Sequence, residues 1–137
     1  MTGSFDNKRQ HKRVEDIFAV TYQLRDSIDV AINTGGKDFT GVAVDISEGG
    51  LGVELAQKLP VGVSIHLNFT IINTMASSDI KRKQRIFELN GQIRHCVKTP
   101  KNTYRAGVMF TNISPDETRF IADFVRVQML LKSSPSQ

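Results

Sequence analysis

The sequence predicts an all-β domain, a six-stranded antiparallel β-barrel closed by its own strands and followed by a C-terminal α-helix. Two observations lead there. Six separated runs alternate apolar and polar residues with a period of two, and no crossover helix lies between them. Only the last apolar segment changes to a 3.6-residue period.

The first run is Phe18, Val20, Tyr22 and Leu24, alternating with Ala19, Thr21 and Gln23, which is the pattern of a strand with one buried face. "SIDVAIN" then reads as a strand or a long hairpin arm, and "NTGG" as a turn. Thr40, Val42, Val44 and Ile46 form the second run, "SEGG" a tight turn, and Leu51, Val53 and Leu55 the third run. Leu59, Pro60 and Gly62 break the chain before Val63, Ile65, Leu67, Phe69 and Ile71, the clearest alternation present. A polar, basic loop over 74–85 precedes Phe87, Leu89 and Ile93, and "KTPKN" turns the chain into Tyr104, Ala106, Val108 and Phe110. "SPDE" supplies Ser114 as N-cap, Pro115 at the first helical position and Glu117 for a capping box. Phe120, Ile121, Phe124, Val125 and Gln128 continue as a helical stripe. Met129, Leu130 and Leu131 exceed what that stripe needs, so core packing is expected of them, with an interface as the other use.

A chain of 137 residues suits one domain, ordered over about 9–132 with a flexible N-terminal arm and C-terminal tail. Charged residues at 23% and apolar ones at 39% match a globular protein. No apolar run reaches the roughly 18 residues a membrane helix needs, and no leader pattern follows the first charges. The single Cys96 agrees with a reducing compartment, and a cytoplasmic location without membrane insertion is expected. His11, His66 and His95 are dispersed, and His95 and Cys96 leave opposite faces of a strand, so no metal site is expected. No catalytic motif appears, and an enzyme is not expected.

The net charge of +4 is unevenly spread. Lys8, Arg9, Lys12 and Arg13 form one cluster and Lys81, Arg82, Lys83 and Arg85 another, while the ten other cations face 14 acids. Two local clusters suit a small anion better than a nucleic-acid track, and no row of exposed aromatics offers bases a stacking surface. Taken alone, "KRQHKR" is a solvated tail, and "DISEGG" is a hairpin turn in which glycine takes positive φ.

Together, Arg9-x-x-x-Arg13 ahead of a barrel pattern and Asp45-x-Ser47-x-x-Gly50 between two strands resemble the PilZ domain family, in both motifs and in their order. "GGLGVEL", "GQIRH", "YRAGVMF" and the terminal helix extend the resemblance over nearly the whole chain. The resemblance implies a bacterial receptor for cyclic di-GMP with Arg9, Arg13, Asp45, Ser47 and Gly50 as its ligand-binding residues and no other cofactor. Arginine suits this ligand because its planar fork donates to phosphate or to guanine O6 and N7 and also stacks on a base. Asp45 can accept from guanine N1 and N2 or steady an arginine, Ser47 can bond base or phosphate, and Gly50 can admit the backbone close to the ligand. Lys8, just before the first arginine, leaves one or two nucleotides per chain open. The resemblance further implies a relay in which the N-terminal arm closes over the barrel and passes the signal to a separate effector protein or through a homodimer. A PilZ-like interaction module for pilus or motility function, without nucleotide, is the alternative.

Overall fold

The computed structural model describes residues 13–24, 38–72 and 84–133. Lys8, Arg9, His11, Lys12, "SIDVAIN", "NTGG", Lys81 to Lys83 and the last residues lie outside the described residues. Six strands are present: β1 (Val14–Leu24), β2 (Phe39–Ser47), β3 (Gly50–Leu55), β4 (Ser64–Ile72), β5 (Gln84–Lys98) and β6 (Tyr104–Phe110). One helix, α1 (Pro115–Ser133), follows them. Every pairing is antiparallel and the order β1-β2-β3-β6-β5-β4 closes on itself. The expected fold class is the observed one.

The barrel interior is filled by the inward half of each alternation. Val20, Leu51, Val53, Ile65, Leu67, Phe87, Leu89, Ile93 and Val108 are each at most 2% exposed. Phe69 stacks on Phe87 with ring centroids 5.1 Å apart, and Phe120 brings the helix edge-on against Phe87 at 5.8 Å. Helix α1 starts as its sequence dictates: the Ser114 N–H donates to Glu117 Oε1 (2.9 Å), and the Glu117 N–H donates back to Ser114 Oγ (3.2 Å). Ile121, Phe124 and Val125 carry its buried stripe.

Four details differ from the expectations. The basic loop ends earlier than expected, since Gln84 and Arg85 already belong to β5 and pair with Ile72 and Ile71. Met129, Leu130 and Leu131 are exposed, because the buried stripe has rotated away from them by the last turns. Among the described residues only Gly62 and Asn102 have positive φ, so the turn after β2 needs its glycines for another reason. In β2 the buried face runs through Gly41 and Ala43, while Val42 is 41% exposed; a β-bulge between Ala43 and Asp45 then returns Ile46 to the interior.

Candidate functional site

That bulge creates the site. Ala43 is fully buried, so strict alternation would send Asp45 into an apolar barrel, where an unpaired carboxylate is very costly. The extra residue turns Asp45 outward instead, opposite Gly52 of β3. Three donors converge on its carboxylate. The guanidinium of Arg13, immediately before β1, donates through Nη1 to Oδ1. The Gly52 N–H donates to the same oxygen at 3.0 Å, and Arg105 Nη2 donates to Oδ2 at 3.0 Å. The Asp45 side chain is only 14% exposed, against 23% for Arg13 and 43% for Arg105. One carboxylate thus lies between two guanidinium groups, and a guanidinium carries five N–H donors in all.

Arg105 was not among the residues singled out from sequence. It sits on the outward half of β6, and only the β3–β6 register, which pairs it with Glu54, brings it over the end of β2. Its outward position could be read from "YRAGVMF", but its neighbours could not.

The two other described motif residues shape the turn. Ser47 is 2% exposed; its hydroxyl accepts from the Gly49 N–H (3.3 Å) and donates to the Gly50 carbonyl (3.4 Å). Gly50 lies against β6 so closely that a Cβ there would stand 1.9 Å from the Val108 carbonyl oxygen. The Phe110 N–H donates to the Gly49 carbonyl at 2.9 Å and fastens the turn to the same strand. The structure thus brings Arg13, Asp45, Ser47 and Gly50 together at one end of β2, whereas Arg9 lies outside the described residues. Arg94 is exposed and donates to Gln92 Oε1 at 3.3 Å. Among the described residues no three His, Cys, Asp or Glu side chains gather as a metal site, and no helix is long and apolar enough to cross a membrane.

Fold and site define a small closed β-barrel that carries an arginine-rich cluster on its outer wall. A family model described as PilZ domain matches residues 7–126, and the chain belongs to that family. Among solved structures it is similar to the Bacillus subtilis inhibitor of motility MotI/DgrA, at 18% identity over 91% of this chain and 53% of that one, with a TM-score of 0.70. It is similar to Escherichia coli YcgR in complex with c-di-GMP at 21% identity, over 91% of this chain and 46% of that one, with a TM-score of 0.56. The PilZ domain of Escherichia coli YcgR with c-di-GMP matches at 18% identity over 91% of this chain and 94% of that one, TM-score 0.56. At these identities the likeness is one of fold, and the chain spans about half the length of the MotI/DgrA chain and of the YcgR chain in complex with c-di-GMP. A comparison with curated protein sequences gives no match.

Proposed function

We propose that this PilZ domain is a non-enzymatic receptor for cyclic di-GMP. The observation that carries the reading is the carboxylate of Asp45 held between Arg13 and Arg105, within an Asp45-x-Ser47-x-x-Gly50 turn. Support also comes from membership of the family and from fold similarity to YcgR, a protein solved with c-di-GMP.

In this reading Asp45 stands in for the ligand's negative charge until the ligand arrives. A phosphate presents the same acceptor geometry to a guanidinium fork as a carboxylate does, so the ring's phosphates draw Arg13 and Arg105 away from full engagement with Asp45. Asp45 then has lone pairs for guanine N1–H and N2–H, while an arginine fork meets guanine O6 and N7. Ser47 and Gly50 hold the turn that aims Asp45. Arg9 joins Arg13 from the arm, and the arm's ordering against the barrel is the signal handed to a separate effector protein or across a homodimer. In this reading the domain acts in the cytoplasm.

Thermal denaturation with cyclic di-GMP, GTP and an RNA oligonucleotide tests this. Saturating cyclic di-GMP alone raises Tm, since a ligand that binds only the native state stabilises it by the logarithm of its concentration over Kd. Arg9→Ala, Arg13→Ala and Asp45→Ala each weaken binding about ten-fold or more, the worth of a lost charge-assisted bond of about 1.5–3 kcal/mol. No shift with cyclic di-GMP sinks the receptor reading and leaves a PilZ-like module that binds protein without nucleotide.

A further inference from the structure

We propose that the free edge of β5, from Gln84 to Glu88, pairs with the same edge of a second copy of this chain and joins two barrels through one continuous sheet. The edge lies outside the arginine cluster, so the pairing stands whether or not the receptor reading does.

Strand β5 is longer than the barrel wall it completes. Its ladder to β4 runs from Gln84 to Gln92, but its ladder to β6 begins only at Gly91. The chain after β6 extends that cover by one residue: the Thr111 N–H donates to the Asn90 carbonyl at 2.9 Å, and the Asn90 N–H donates to Asn112 Oδ1 at 2.7 Å. In an antiparallel ladder both main-chain groups of a residue point to one side, and the side alternates along the strand. The β4–β5 register is unbroken here, so Glu88, Ile86 and Gln84 aim their N–H and C=O groups as Asn90 does, away from β4. Among the described residues no hydrogen bond meets those groups. An open row of this kind is a template for another strand.

The edge matches itself. Gln84, Ile86 and Glu88 also carry the outward side chains, with Ile86 63% exposed and Ile72 of β4, diagonally behind it, 55% exposed. A two-fold axis at Ile86 sets Ile86 against Ile86 and Gln84 against Glu88 of the second copy on both flanks. Every outward-turned N–H and C=O of the three residues is then used, the isoleucines cover each other, and the Gln84 amide donates to the Glu88 carboxylate. On the inner face Arg85, which lies 5.9 Å from the centroid of the Phe87 ring, comes opposite Phe87 of the second copy. Sliding the copies by two residues in one direction sets Arg85 against Arg85, and like charges directly opposed are destabilising. Sliding them in the other direction sets Ile86 against Glu88 and Gln84 against Asn90, whose groups are already taken. Hydrogen bonding and charge thus select the same register.

Sedimentation equilibrium of the full chain over a concentration series, without cyclic di-GMP, tests the pairing, and a monomer–dimer equilibrium is expected. Ile86→Pro removes the edge-facing N–H and no bond to β4, whereas Ile86→Lys puts like charges on the two-fold axis. Each weakens association about ten-fold or more, the scale of losing the central pair of hydrogen bonds. Far-UV circular dichroism checks that both variants remain folded. Leu130→Ser, on the other exposed apolar patch, in α1, leaves association unchanged. A chain that stays monomeric throughout, a dimer that persists in both Ile86 variants, or a dimer abolished by Leu130→Ser overturns the proposal.

Discussion

Gly50→Ala separates two reasons for a glycine at the end of the β2–β3 turn. If the position exists to let a ligand approach the backbone, a methyl group costs binding and little else. The structure gives a different reason: the new Cβ would lie 1.9 Å from the Val108 carbonyl oxygen, 3.0 Å from its carbon and 3.2 Å from Met109 Cα. The first distance is about an ångström shorter than real contacts allow, and the obstacle is backbone, which cannot rotate aside. Relief requires β3 to part from β6 at the Gly50–Met109 pair. Overpacking costs about 1–3 kcal/mol, and backbone against backbone belongs at the upper end, about 3 kcal/mol. For a chain of 137 residues that lowers Tm by about 10 °C. Circular-dichroism melting measures the shift, and titration with cyclic di-GMP well below the lowered Tm measures binding by the folded fraction. A Tm within about 2 °C of the unaltered protein, combined with lost binding, would refute the packing argument and return Gly50 to the ligand.

Gly52→Ala behaves differently, because its Cβ meets the Asp45 carboxylate at 2.9 Å and a side chain can swing away. Its melting temperature changes little, whereas its affinity for cyclic di-GMP falls as it does in Asp45→Ala. Arg105→Ala weakens cyclic di-GMP binding by about ten-fold in titration, as Arg13→Ala does, since each removes one of the guanidinium groups on Asp45. Ser114→Ala removes the cap of α1 and lowers stability by about 1 kcal/mol in urea denaturation, with binding unaffected. Burial pushes the Tyr22 phenol above its ordinary 10.0, with the Gln57 hydrogen bond opposing more weakly. The native state holds that proton more tightly than the unfolded chain, so this contribution is complete below about pH 10 and is lost as pH rises through the native value. Urea stability compared at pH 9 and pH 11 falls less in Tyr22→Phe than in the unaltered protein.

Where the chain runs unbulged, its sequence could be read directly: Ile65, Leu67, Phe69 and Ile71 all point inward as their spacing demands. The capping box was equally legible, because Ser114 and Glu117 interact within one turn. Strand β2 defeated the same reading. Val42 and Val44 have the apolar character of a buried face, but the interior positions belong to Gly41 and Ala43, and the bulge then resets the parity before Ile46. Small inward residues carry little hydropathic signal, and a bulge carries none. The motif residues Arg13 and Asp45 meet at the end of β2, whereas Arg105 reaches them through a β3–β6 register fixed by residues some fifty positions apart. Such a pairing has no local trace.

The closure of the barrel is uneven along β1. Its ladder to β4 covers Thr21 to Leu24 against Ile65 to Asn68, while its ladder to β2 extends back to Val14. Among the described residues, β1 from Val14 to Val20 is thus stitched to β2 alone, and Thr21 and Tyr22 are stitched along both borders. A tug on that guanidinium acts at the loose corner of the fabric, and the seam with β4 sets how far the slack can run before the whole weave resists.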